Sequence, residues 1–324
     1  MIPVVLDTDI GGDIDDTWAL AMLLRCPELD PRLVVTCTGD TTYRARIAAG
    51  IMAAGGREEI PIGIGIPTLR QLPYDAEPRE FRENQPAFAA SVDLDVYRGG
   101  VRADGVKALV DCVMSSPAPV TLIATGPLTN IAAGLVLEPA ISQRARLVAM
   151  LGSLQLPEYN VAADVAACRA VLAAGWEPTI APLETCVSAV LRDDRWAAIR
   201  RATNPLAKAV VANYREWSIT GGKFWTETLA ADQERSLARI PAEHRPMVDA
   251  LIAGELFEVS TTTLCDTVAV YLAYDETFLE IKRQPIAVDD EGVMSISDDS
   301  QTVRAATSWR NLDAFADQLV ERLV

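Results

Sequence analysis

None of the six cysteines (Cys26, Cys37, Cys112, Cys168, Cys186, Cys265) forms a CxxC pair or falls into the spacing of a small disulfide scaffold. That argues against a stapled secreted fold and for reduced thiols in a cytoplasmic protein. No apolar run reaches membrane-spanning length. The opening "MIPVVLD" enters a strand directly, without the basic segment and apolar core of a signal peptide. Positive charge is scarce too: 29 Lys and Arg stand against 45 Asp and Glu, a formal net charge of −16, with one histidine, His244. Phosphate-rich partners would be repelled, which disfavours nucleic acid and anionic membranes and leaves small neutral or cationic ligands. There is no internal repeat, low-complexity tract or Pro/Ser linker, so the 324 residues, half of them apolar, are read as a single domain, 1–324.

What the chain does have is alternation. Short β-branched runs, "PVVLD" (3–7), "RLVVTCTG" (32–39), "IPIGIG" (60–65), "PVTLIATG" (119–126), "RLVAML" (146–151) and "EPTIAPLE" (177–184), are separated by helical patterns. This predicts βαβ units and a mostly parallel central sheet flanked by helices, with ligands beyond the carboxyl ends of the strands. Residues 285–305, with turn residues between short alternating runs, predict a C-terminal antiparallel hairpin.

The densest chemistry follows the first run. In "VVLDTDIGGDIDDTWALAML" five aspartates, Asp7, Asp9, Asp13, Asp15 and Asp16, fall within ten positions. Such a group calls for neutralisation by a proton or a cation. An EF-hand loop counted from Asp7 would need an acid where Trp18 stands, and a helix where a strand is expected. An Asp-x-Asp phosphotransferase of the dehalogenase type matches "DTD" but not "IGGDIDD". Helix capping accounts for one or two of the five.

The stretch resembles the N-terminal signature of the inosine-uridine-type nucleoside hydrolases, with two additional residues between Gly11 and Asp15-Asp16. The similarity recurs at "IATGPLTNIAAGL" (123–135), "PEYNVAADVAA" (157–167) and "CDTVAV" (265–270). The resemblance implies a Rossmann-like fold and calcium-dependent hydrolysis of the N-glycosidic bond of a nucleoside or related N-ribosyl compound. It also implies a homodimer or homotetramer and a role in purine or pyrimidine salvage. Carried over by motif, calcium falls to Asp9, Asp16, the Thr125 carbonyl and Asp266, hard oxygen donors all. Asp9 becomes the general base, while Asp15, Glu158 and Asn160 contact the ribose. Two other readings of the site stay open: a sugar- or nucleoside-binding protein without turnover, and the phosphotransferase.

Besides that extension, the chain departs from the family in a shortened loop before its third motif, "GSLQLPEYN", and at two residues. Asp40 stands where many relatives carry asparagine, and touches a ribose hydroxyl, binds metal or is protonated. Cys265 stands where many carry the histidine that protonates the leaving base, a task for which a thiol is a poorer acid. His244, outside that motif, reads as a solvated loop residue. Stacking on the base is then sought from Tyr159, Trp217, Phe224 or Trp225, the last three around a hinge-like Gly221-Gly222, although large aromatics usually pack in cores.

Overall fold

A computed structural model describes residues 1–68, 83–231 and 245–324, with only the helical backbone for 221–231. Its ten strands, β1 (Ile2–Thr8), β2 (Leu29–Thr36), β3 (Ile62–Ile64), β4 (Val101–Arg102), β5 (Val120–Ala124), β6 (Ala145–Met150), β7 (Thr179–Ala181), β8 (Leu279–Val288), β9 (Met294–Ile296) and β10 (Gln301–Trp309), form one sheet. The order is β4-β3-β2-β1-β5-β6-β7-β10-β8-β9. Every pairing from β4 to β10 is parallel, while β8 runs antiparallel to both β10 and β9. The expected hairpin region is therefore larger than residues 285–305, and β10 joins it to the parallel sheet.

β1 sits between β2 and β5, the point at which the strand order reverses, and such a switch point opens a crevice at the carboxyl ends. Side chains of β1 alternate between two apolar layers: Val4 and Leu6 pack on one face, Val5 on the other. The first layer is covered by α1 (Asp15–Arg25), α2 (Thr41–Ala54), the long helix Pro205–Ala231 and the helix Cys265–Leu272. The second is covered by Gly105–Ser115, Thr129–Leu137 and Val165–Leu172.

α1 begins at Asp15, and its N-cap Ile14 offers no side-chain bond. Packing holds it instead, since Trp18, Leu20, Met22 and Leu23 are all essentially inaccessible. At about 2 kcal/mol for each fully buried large side chain, these residues contribute enough to keep an acidic first turn out of water. Trp18 also belongs to an aromatic cluster with Trp196 and Tyr214, at ring separations of 5.3 to 6.2 Å.

Candidate active site

The loop from β1 to α1 is anchored by Ile10 and Ile14, both fully buried, and this turns the polar residues between strand and helix towards one crevice. The period of two along β1 sends Asp7 to the face of Val5 and Thr8 to the face of Leu6. On the first face Asn130, in the helix Thr129–Leu137, donates from Nδ2 to Asp7 Oδ1 at 2.8 Å. On the second, Thr8 Oγ1 donates to Asp16 Oδ1 at 2.5 Å, and Thr125 Oγ1 donates to the same oxygen at 2.8 Å. Asp7 thus supports the turn, and Asp16 is fixed by hydroxyls from two neighbouring strand ends.

Three carboxylates converge there. Asp15, Asp16 and Asp266 each place an oxygen within 4.8 Å of the others, and all three are buried. They occupy the first turns of two helices, α1 and Cys265–Leu272, where the positive ends of the helix dipoles face them. The Asp266 amide donates weakly to Asp15 Oδ2 at 3.4 Å. Burial, followed by repulsion from neighbouring carboxylates, Asp13 on Asp15, Asp9 on Asp16 and Asp15 on Asp266, raises all three carboxyls well above the ordinary range. Burial likewise lifts Asp7, to about 7.

The resemblance assigns Asp9 to the metal and to the base. Its side chain is not one of the converging three, and its carboxylate lies 3.8 Å from Arg44 Nη2. Its negative charge nonetheless acts on Asp15, Asp16 and Asp266, so it borders the same crevice. Asp15, expected to hold the sugar, lies among the three converging carboxylates.

The Thr125 carbonyl accepts a hydrogen bond from Asn160 Nδ2 at 3.1 Å, and the same nitrogen donates to Met150 O at 3.0 Å. A carbonyl has two lone pairs, so this bond orients the oxygen without exhausting it. Gly126 follows, where a Cβ would come within 2.6 Å of Cys37 Sγ and 3.0 Å of Asp9 Cβ. Only glycine lets the loop after β5 lie that close to Asp9. Glu158 is pinned by backbone amides, accepting from Gly152 at 2.8 Å and Asn160 at 2.9 Å, yet burial pushes its carboxyl up to about 7. It organises the loop after β6.

Other expectations fall elsewhere. Asp40 is exposed and caps α2, accepting from the Thr42 and Tyr43 amides at 2.9 Å each. Trp217 is 2 % exposed and stacks on Tyr214 at 5.9 Å, so it packs the core rather than offering a face to a base. The pair Gly221-Gly222 lies inside the unbroken helix Pro205–Ala231 and forms no hinge. Tyr159 is half-buried at the start of the helix Tyr159–Ala162. The side chains of Phe224 and Trp225, and all of His244, lie outside the described residues.

Sequence reasoning missed Arg44. It is 2 % exposed and donates to Thr38 O at 2.8 Å, Ile10 O at 2.9 Å and Thr38 Oγ1 at 3.3 Å. It supplies a fixed positive charge under the aspartates. The signal was there, because Arg44 falls on the buried stripe with Ile47, Ala48 and Ile51 while Arg46 faces solvent. Cys265, buried beside Asp266, interacts with Cys186, and this contact and burial raise its thiol well above the ordinary range. Thiols and an oxygen-only acid cluster therefore sit side by side without sharing a ligand set.

A parallel α/β sheet with three buried carboxylates at its switch point places this crevice where such sheets bind small ligands. The family model for the inosine-uridine preferring nucleoside hydrolases matches residues 4–317. A non-specific ribonucleoside hydrolase, RihC, of Escherichia coli is 30% identical over 233 residues, 68% of this chain and 75% of its own. Among solved structures, a plant nucleoside hydrolase aligns with a TM-score of 0.74 at 19% identity, covering 99% of this chain and 98% of its own. A purine-preferring ribonucleoside hydrolase from Gardnerella vaginalis aligns at 0.70 and 18% identity, with 99% and 98% covered. The chain belongs to the inosine-uridine preferring nucleoside hydrolase family and is an N-glycosyl hydrolase. The phosphotransferase and the binding protein without turnover are thereby set aside; the former also needs Asp7 as an accessible nucleophile, and Asp7 is 1 % exposed. Among the described residues no helix is long and apolar enough to cross a membrane.

Proposed function

We propose that this enzyme hydrolyses the N-glycosidic bond of ribonucleosides or related N-ribosyl compounds in a calcium-dependent manner, releasing ribose and the free base. The observation that carries the reading is the convergence of Asp15, Asp16 and Asp266. Three buried carboxylates with one fixed cation nearby, Arg44, have a donor set suited to a hard divalent ion. Asp16, Asp266, Asp15 and the Thr125 carbonyl would hold it, with Asp9 at the rim. Bound there, it supplies the positive charge that offsets the cluster and lowers the pKa of water in the crevice.

The protein's own groups do the rest. Asp9, kept close to Arg44, takes the proton of the attacking water. Asp15 and Asn160 share hydrogen bonds with the ribose hydroxyls, while Glu158 holds the loop that carries Asn160. As the bond to the base lengthens, the surrounding carboxylates stabilise positive charge developing on the sugar. Salvage of purines or pyrimidines, a homodimer or homotetramer and a cytoplasmic setting complete the proposal. The last is supported by six free cysteines. Ribose release from inosine and uridine, after chelation and after calcium is returned, is the test. Loss of activity with chelator, recovery with calcium and loss in Asp9→Asn are expected; full activity in chelator would refute the calcium dependence, and full activity in the variant would refute the base.

A further inference from the structure

The loop that carries the site, residues 9–14, joins Asp9 to the acids of α1 and belongs to neither β1 nor α1. Its own bonds are long or local: the Gly12 amide reaches Asp9 O at 3.4 Å, and the Ile14 amide donates to its neighbour Asp13 Oδ1 at 2.8 Å. Such a segment keeps one shape where groups outside it hold its backbone.

Three successive carbonyls are held in this way. Ile10 O accepts from Arg44 Nη1 at 2.9 Å, Gly11 O from Tyr43 Oη at 3.4 Å, and Gly12 O from Asn84 Nδ2 at 2.7 Å. The first two donors belong to α2, on which the loop is pressed so closely that a Cβ at Gly11 would stand 2.7 Å from both Tyr43 Cε1 and Ile47 Cδ1. The third comes from outside α2, and its bond is the shortest of the three.

Asn84 lies outside any helix or strand, so its own place must be fixed by others. The amide of the next residue, Gln85, donates to Tyr43 Oη at 2.8 Å. From the long helix Pro205–Ala231, Thr220 Oγ1 donates to Asn84 O at 2.5 Å, and Glu216 accepts from the Ala87 and Phe88 amides at 2.6 and 3.0 Å. A carboxylate facing two backbone amides makes charge-assisted bonds, stronger than neutral ones. Glu216, Thr220 and Asn84 thus form a relay from the long helix to the Gly12 carbonyl, midway between Asp9 and Asp15.

Resting on the hydrolase reading above, we propose that Asn84 is a positioning residue for the reaction, and that Glu216 and Thr220 act through it. The bond to Gly12 fixes the course of the loop between its ends, and with it the spacing of Asp9 from Asp15 and Asp16. Asn84 touches neither the base nor the acids that would hold the cation; it sets where they stand.

Asn84→Leu keeps the bulk of the side chain and removes the donor. With calcium saturating, kcat for inosine is expected to fall about threefold to tenfold, the worth of one net hydrogen bond, and calcium binding read by titration calorimetry to weaken by a similar factor. KM should move less than kcat, because the placing of the attacking water is the stricter demand. Glu216→Gln, and Thr220→Val as a second way to cut the relay, are expected to give smaller losses of both kinds, and none in addition when combined with Asn84→Leu. Asn204→Ala, which removes an acceptor for the Ala207 amide at the far end of the same helix, is expected to lower Tm and leave both readings unchanged. Wild-type kcat and calcium affinity in Asn84→Leu, full additivity in the combined variants, or equal losses in Asn204→Ala overturns the proposal and leaves the hydrolase reading intact. Wild type that releases no ribose from inosine or uridine sinks the hydrolase reading, and wild type that turns over without binding calcium sinks the calcium part alone. In either case the remaining measurement decides on the relay.

Discussion

Replacing Asp16 by asparagine is expected to make the cation-free protein more stable while making it a worse enzyme. At 4.8 Å or less, two unit charges at an effective dielectric of about 20 repel by about 3 to 4 kcal/mol, and Asp16 faces both Asp15 and Asp266. Taking up a proton at pH 7.5, for a carboxyl whose unfolded value is near 4, costs about 5 kcal/mol. The proton is thus the cheaper way out, and the cation-free protein carries that cost. Asparagine keeps the acceptor for the Thr8 and Thr125 hydroxyls and removes the charge. The relief is expected to be about 2 to 4 kcal/mol, or roughly 4 to 8 °C in Tm for a chain of this size.

The sign of the pH dependence follows. The folded protein binds these protons more tightly than the unfolded chain, so stability is full below the ordinary carboxylate range and is lost as pH rises through the raised values. Wild-type Tm in chelator should fall as pH rises above the ordinary carboxylate range, and fall less steeply in Asp16→Asn. Calcium at about a thousand times its Kd adds about 4 kcal/mol to whichever protein binds it, which should bring wild type level with or above the variant. Differential scanning calorimetry in chelator and in calcium, with ribose release as the activity measure, reads all of this. A variant less stable than wild type in chelator at pH 7.5, or one that gains as much from calcium, would refute the reasoning.

Asp7→Asn keeps the acceptor for Asn130 and places an amide where Asp7 Oδ2 is buried without a partner among the described residues. With Asp7 raised to about 7, this substitution should flatten the stability profile between about pH 4 and pH 7, checked by thermal unfolding at intervals. Arg44→Met removes a buried cation and three hydrogen bonds, and a loss of about 3 to 5 kcal/mol in urea unfolding is expected; a loss under about 1 kcal/mol would show that the cation is not structural. Asp40→Ala should cost about 1 kcal/mol through the lost cap, and Asp40→Ser should recover it. If Asp40 also touches ribose, KM stays raised in Asp40→Ser; an unchanged KM removes Asp40 from the sugar site.

The strands were legible because parallel strands buried on both faces read as apolar runs. The aspartate motif was legible because chemistry of this kind needs those residue types in that order. How the aspartates divide the work was not. Asp9 follows a strand and Asp15 begins a helix, and which of their carboxylates meet depends on a distance that sequence order does not carry. Trp217 shares with Val210 and Tyr214 the spacing of a buried helical stripe, so its packing was legible as well. Arg44 was passed over because charge suggested surface, when its helical phase pointed inward.

The three converging carboxylates also have a history within each folding event. Two belong to the start of the chain and the third lies about 250 residues later, at Asp266. A growing polypeptide can complete β1, β5 and their flanking helices while it still owns only two of the three. The repulsion that the finished cluster must suppress therefore arises only once the helix Cys265–Leu272 has been made and packs onto that layer. Catalytic competence in such an arrangement is a certificate of a finished molecule: a chain cut just before residue 265 keeps β1 to β7 but lacks the third carboxylate.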